Sequence, residues 1–91
     1  MAKLLVILKV LPTDIDVNLD KLASKIKEIL PQDYELMKYE KVPIAFGLSA
    51  LRLYIAIPEE EEGGTEKLEE SVKKVSGVSE VEVEMLHRMS F

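Results

Sequence analysis

The sequence predicts an α+β sandwich with the element order β-α-β-β-α-β, and three observations carry the prediction. Two segments, Lys3–Leu11 and Leu51–Ile57, are short, strongly apolar and rich in Leu, Val and Ile. Two others, opening near Leu19 and Thr65, repeat apolar residues at helical spacing. Each helical segment lies between two strand-like ones. With 91 residues, one core is all the chain can build, so residues 1–91 are expected to form a single domain.

The elements follow in order. Lys3–Leu11 is nearly continuous in apolar residues, as a central strand is, and Pro12 stops it. Asn18, or Asp16 just before it, can cap the helix that follows. Leu19, Leu22, Ala23, Ile26 and Leu30 form its apolar stripe, and Pro31 ends it. Tyr34–Val42 reads as a weaker strand with charges on both parities, a pattern that edge strands tolerate. In Leu51–Ile57 the apolar Leu51, Leu53, Ile55 and Ile57 alternate with Arg52, Tyr54 and Ala56, and Pro58 closes the strand.

Gly63-Gly64-Thr65 then opens a second helix, with Thr65 as its cap and Leu68, Val72 and Val75 as its stripe. Gly77 fits a helix C-terminal position. Val81, Val83 and Met85 alternate with Glu80, Glu82 and Glu84 as a last strand. The order is that of the ferredoxin-like βαββαβ sandwich, a four-stranded antiparallel sheet with two helices on one face. Right-handed crossovers place the first and third strands in the centre, which agrees with their hydrophobicity.

Composition removes several function classes. No cysteine is present, so disulfide scaffolds, thiolate metal sites and thiol catalysis are out. The single histidine, His87, stands near the C-terminal end without partners spaced for a nucleophilic triad or a metal. No metal, cofactor or catalytic residue is expected. A formal charge of −5 with five aromatics and no Trp argues against nucleic acid as a direct partner. No apolar run is long enough to span a membrane. Lys3 and Lys9 interrupt the first apolar stretch, so no secretory signal is expected and a cytoplasmic protein is the simplest reading. The acidic run Glu59–Glu62 reads as a solvated loop, or as a device for steering toward a basic partner.

Two segments do not fit a plain domain. Val42–Leu48 joins two neighbouring strands and should be a surface connection, yet it is almost wholly apolar and carries Phe46 before Gly47. Either Pro43 and Ile44 fold back over one end of the core, or the segment presents an aromatic anchor to a partner. The second is Met85–Phe91, where basic Arg88 follows a run of glutamates. Strict alternation from Val81 puts Arg88 with Glu82 and Glu84 on the more polar face, and a bulge would reverse that.

These segments carry a family resemblance. Pro43-Ile44-Ala45-Phe46-Gly47-Leu48, the strand Leu51–Ile57 and an acidic turn resemble the guanine-nucleotide exchange domain of elongation factor 1-beta. The likeness continues through Gly63-Gly64-Thr65-Glu66, Val78–Val83 and the closing Leu86-His87-Arg88-Met89. The short length is similar to the archaeal form. Residues 1–40 match in pattern and length.

The resemblance implies a factor that promotes GDP release from elongation factor 1-alpha, in its GDP-bound and nucleotide-free states, with no chemistry of its own. It also implies a partner-binding set: Pro43, Ile44, Phe46 and Gly47 in the loop, and His87, Arg88 and Met89 at the end. Phe46 would dock in an apolar pocket, and Arg88 would reach the partner's Mg²⁺ and phosphate region. Eukaryotic members carry Lys where Arg88 stands and two lysines where this chain has Ser49 and Ala50. Free in solution, the protein is expected to be a monomer.

The rival reading is a ferredoxin-like regulatory module that binds a small metabolite and dimerises, its apolar loop forming a subunit interface. An RNA-binding sheet would need exposed aromatics and basic flanks, and Tyr54 is the one aromatic clearly within the third strand. An acylphosphatase-like enzyme would need a phosphate cradle after the first strand, where Leu11–Asp16 is acidic.

Overall fold

A computed structural model describes residues 3–58 and 65–89. Glu59–Glu62, Gly63-Gly64 and Ser90-Phe91 lie outside the described residues, and of Met89 only the backbone is described. The elements are β1 (Lys3–Pro12), α1 (Leu19–Ile29), β2 (Glu35–Ala45), β3 (Leu48–Pro58), α2 (Glu66–Lys73) and β4 (Val78–Met89). The strands form one antiparallel sheet in the order β2-β3-β1-β4, so the two most apolar strands are central, as the ferredoxin-like order requires.

Alternation in the central strands divides the sheet into two faces. Val6, Leu8 and Val10 of β1 lie opposite Ile55, Leu53 and Leu51 of β3, and all six are fully buried. Leu22, Ala23 and Ile26 of α1 and Leu68 and Val72 of α2 cover this layer. The other face presents Leu5, Ile7 and Lys9 of β1 beside Ala56, Tyr54 and Arg52 of β3, and among the described residues no helix covers it.

Helix α1 starts where the sequence allows two caps, and Asn18 is the one used. Its Oδ1 accepts the Lys21 N–H at 3.1 Å, satisfying one of the free donors of the first turn. Asp16 instead donates its backbone N–H to Asp14 Oδ1 at 2.7 Å, closing the loop before the helix.

Helix α2 departs from expectation at both ends. Thr65 occupies the cap position, but its side chain does not cap; its hydroxyl donates to Glu69 Oε2 at 3.2 Å. The helix ends at Lys73, so Val75 packs on the core from beyond it. Gly77 is likewise no helix terminator. With φ of +99° it turns the chain into β4, and its carbonyl accepts the Thr13 N–H at 3.0 Å.

Candidate functional site

The segment Val42–Leu48 is a tight hairpin rather than a connecting loop. β2 runs to Ala45 and β3 begins at Leu48, leaving a two-residue turn of Phe46 and Gly47. Both turn residues have positive φ, 52° and 77°, the condition for the type I′ turn that matches the twist of a hairpin. The sequence pattern understates the length of β2 because Pro43 interrupts it. Pro43 stands on an edge strand of the sheet, where proline is tolerated.

Neither Pro43 nor Ile44 folds over the core. Pro43 lies opposite Ser49 and is exposed. Ile44 is the extra residue of a bulge, between the pairs Pro43–Ser49 and Ala45–Leu48, and is 44% exposed. Phe46 is 100% exposed. A phenylalanine in the left-handed region costs about 1–2 kcal/mol that a glycine there would not. The tip therefore holds a large aromatic in full solvent and in an unfavourable backbone state.

The C-terminal segment is the outer end of β4. Val83 lies opposite Leu8 and Met85 opposite Ile7, so Glu84 is an extra, bulged residue. The bulge reverses the parity of all that follows. His87 stands opposite Leu5 on the open face, while Arg88 stands opposite Leu4 on the helix-covered side. Strict alternation, which groups Arg88 with Glu82 and Glu84, is thus corrected by one residue. His87 and Arg88 are both exposed, and the Met89 backbone pairs with Lys3.

The two groups of residues are not brought together. Arg88 shares a row across the sheet with Leu4 and Ile57, at the far end of β3 from Gly47. The ten residue steps from Gly47 to Ile57, at about 3.3 Å each, separate the ends by about 33 Å, in a molecule 41 Å long.

Two polar clusters brace the sheet between these ends. On the open face Arg52 Nε lies 2.8 Å from Glu84 Oε1, and its Nη1 lies 3.5 Å from Glu40 Oε2. Tyr54 donates its hydroxyl to Glu40 Oε2 at 3.3 Å, and Lys38 Nζ sits 4.5 Å above the Tyr54 ring. The Glu84 hydrogen bond, foremost, raises the Arg52 pKa. Arg52 thereby links the two edge strands across the centre.

On the other side Asp20 of α1 accepts hydrogen bonds from Lys41 Nζ at 2.8 Å and Tyr39 Oη at 3.0 Å. The Lys41 bond and then the Tyr39 bond lower the Asp20 pKa, and the Asp20 carboxylate raises those of Tyr39 and Lys41. This clamp ties β2 to α1 a few residues before the hairpin tip. Sequence reasoning singles out neither cluster. The alternation of β3 does put Arg52 and Tyr54 on one face, but their carboxylate partners come from bulged strands. Among the described residues no three His, Cys, Asp or Glu side chains gather as a metal site, and no helix is long and apolar enough to cross a membrane.

The chain is a small α+β domain with an aromatic on a strained tip and a cation at the opposite end, and comparison gives its family. Residues 5–89 match the model of the EF-1 guanine nucleotide exchange domain, and the chain belongs to that family. It is 57% identical to elongation factor 1-beta of Ignicoccus hospitalis over all of this chain and 97% of that one. It is 59% identical to that of Hyperthermus butylicus, covering 99% of this chain and 98% of the relative. With that of Staphylothermus marinus it shares 60% identity, over 99% of this chain and all of the relative. In fold it is similar to the C-terminal domain of MgtC from Mycobacterium tuberculosis, with a TM-score of 0.58 and 11% identity over 89% of this chain and 84% of that one.

Proposed function

We propose that this protein, acting as one exchange domain over residues 1–91, promotes GDP release from elongation factor 1-alpha in the cytoplasm. Phe46, flanked by Pro43, Ile44 and Gly47, buries itself in an apolar pocket of the partner. Arg88, flanked along β4 by His87 and Met89, approaches the partner's Mg²⁺ and phosphate region. The observation that carries this reading is the fully exposed Phe46 at positive φ on a two-residue turn. Folding alone favours a smaller residue there, so a contact outside the chain accounts for it.

The separation of the two ends shapes the mechanism. One pocket cannot hold both groups, so the partner engages the long axis of the sheet at two places about 33 Å apart. Phe46 then supplies affinity away from the nucleotide, and Arg88 competes for negative charge near it. To speed release a thousandfold the factor lowers the barrier by about 4 kcal/mol. By linkage it binds the nucleotide-free partner more tightly than the GDP-bound one. The bond-making groups lie on the partner, and the factor acts by binding alone, as a monomer.

The test is release of a fluorescent GDP analogue from elongation factor 1-alpha, with catalytic amounts of wild type, Phe46→Ala and Arg88→Ala. The expected result is strong acceleration by wild type. Phe46→Ala should need more protein to reach the same rate, and Arg88→Ala should lower the rate at saturation. Acceleration untouched by either substitution would refute the roles of the residues. No acceleration by wild type would refute the function.

A further inference from the structure

The β1–α1 loop shares the hairpin end of the molecule and is built to hold one apolar residue outward. Thr13 N–H anchors it to the Gly77 carbonyl at 3.0 Å, and the Asp14 side chain closes a turn on the Asp16 N–H at 2.7 Å. Within this ordered loop Val17 packs on the core while Ile15 is 64% exposed. The loop and the hairpin line one open cleft, with Asp14, Ile15 and Val17 on one wall and Gly47, Leu48 and Ser49 on the other.

Single exposed apolar residues are ordinary, and Ile29, Met37 and Tyr39 are of that kind. Ile15, Ile44 and Phe46 instead stand at one end: Ile15 lines the cleft, and Ile44 and Phe46 belong to the hairpin whose Gly47, Leu48 and Ser49 form its other wall. The charge there is one-sided. Lys41 is held by Asp20, whereas Asp14 and Asp16 make no ion pair with a described residue. A surface that complements this end is apolar at its centre and basic at its rim.

We propose that Ile15 is a second apolar anchor for the GTPase partner, beside Phe46, and that Asp14 and Asp16 meet basic side chains of that partner. The inference rests on the exchange-factor reading and extends its hairpin contact to a two-loop surface. Ile15 stands at the end remote from Arg88, so it contributes to affinity and not to the nucleotide step.

The experiment measures stimulated GDP release from elongation factor 1-alpha against concentration of the factor. Ile15→Ala is compared with wild type, with the double variant Asp14→Asn/Asp16→Asn, and with Ile29→Ala on the outer surface of α1. Asparagine at 14 keeps the Oδ1 acceptor of the turn. Ile15→Ala should raise the half-saturating concentration about 5–20-fold with an unchanged maximal rate and an unchanged melting temperature.

The aspartate variant should show a smaller rise that fades at high salt, and Ile29→Ala should match wild type. An unaltered half-saturating concentration for Ile15→Ala, with an active wild type, overturns the inference and leaves the exchange reading intact. A wild type that accelerates nothing overturns both. If sedimentation shows a dimer of this chain that Ile15→Asp dissolves, the occupant is a second copy and the inference fails.

Discussion

Glu84, the extra residue of the β4 bulge, holds the Arg52 guanidinium with its Oε1 2.8 Å from Nε. The two residues belong to strands separated by β1, so the contact reaches across a full strand. The same bulge sets Arg88 opposite Leu4 rather than opposite Lys3. A local irregularity therefore does two things. It supplies a carboxylate to the open face, and it chooses the face on which the candidate functional cation stands.

Replacing Arg52 tests the bracing role. Arg52→Ala leaves Glu40 and Glu84 without their shared cation on the open face. Both partners of the 2.8 Å pair keep about a third of their side-chain surface in water, so screening limits the loss. The expected destabilisation is small, read as a slightly lower urea midpoint with an unchanged slope.

The hairpin tip should show stability and function moving in opposite directions. Phe46→Gly removes the positive-φ penalty and gives the turn two glycines, a sequence that type I′ turns favour. The fold should gain about 1 kcal/mol, offset in part by the greater freedom of glycine in the unfolded chain. Thermal unfolding should show a higher midpoint, while stimulation of GDP release falls. A lower midpoint would contradict the strain assigned to this position.

The Asp20 clamp should give a bounded pH dependence. Its carboxyl pKa is lowered in the folded state, chiefly by the Lys41 hydrogen bond, so its contribution is present above the ordinary aspartate value. It disappears as pH falls through the lowered one. Tyr39 and Lys41 are both raised by Asp20, so their share is full below their ordinary values of 10.0 and 10.5. That share is lost as pH rises through the raised ones. The stability difference between wild type and Asp20→Asn should be flat across neutral pH and shrink at both extremes. Denaturant titrations at pH 3, 7 and 11 would show it. A difference that persists unchanged at pH 3 would contradict the clamp.

Much of this architecture is legible in the sequence. Apolar runs, helical spacing and prolines are local signals, and they suffice for the element order, the central strands, the alternation of β3 and the apolar stripes of both helices. The family resemblance singles out Phe46 and Arg88 from motifs alone. Less is legible where a short signal admits two structures. Pro43 makes a strand look like a loop, and Gly77 makes a turn into β4 look like a helix end. The threonine at 65 has a cap residue's identity but spends its hydroxyl on Glu69.

The order and type of the elements, and the face that β3 buries, are properties of the sequence alone, because they follow from periodicity within a few residues. Three features arise only in the folded sheet. They are the face of Arg88, the two-residue width of the Phe46 turn, and the distance of about 33 Å between them. Each depends on pairing between strands far apart in the chain. A single unpaired residue, Glu84 or Ile44, shifts the register of everything beyond it, and nothing in local composition marks where that residue falls.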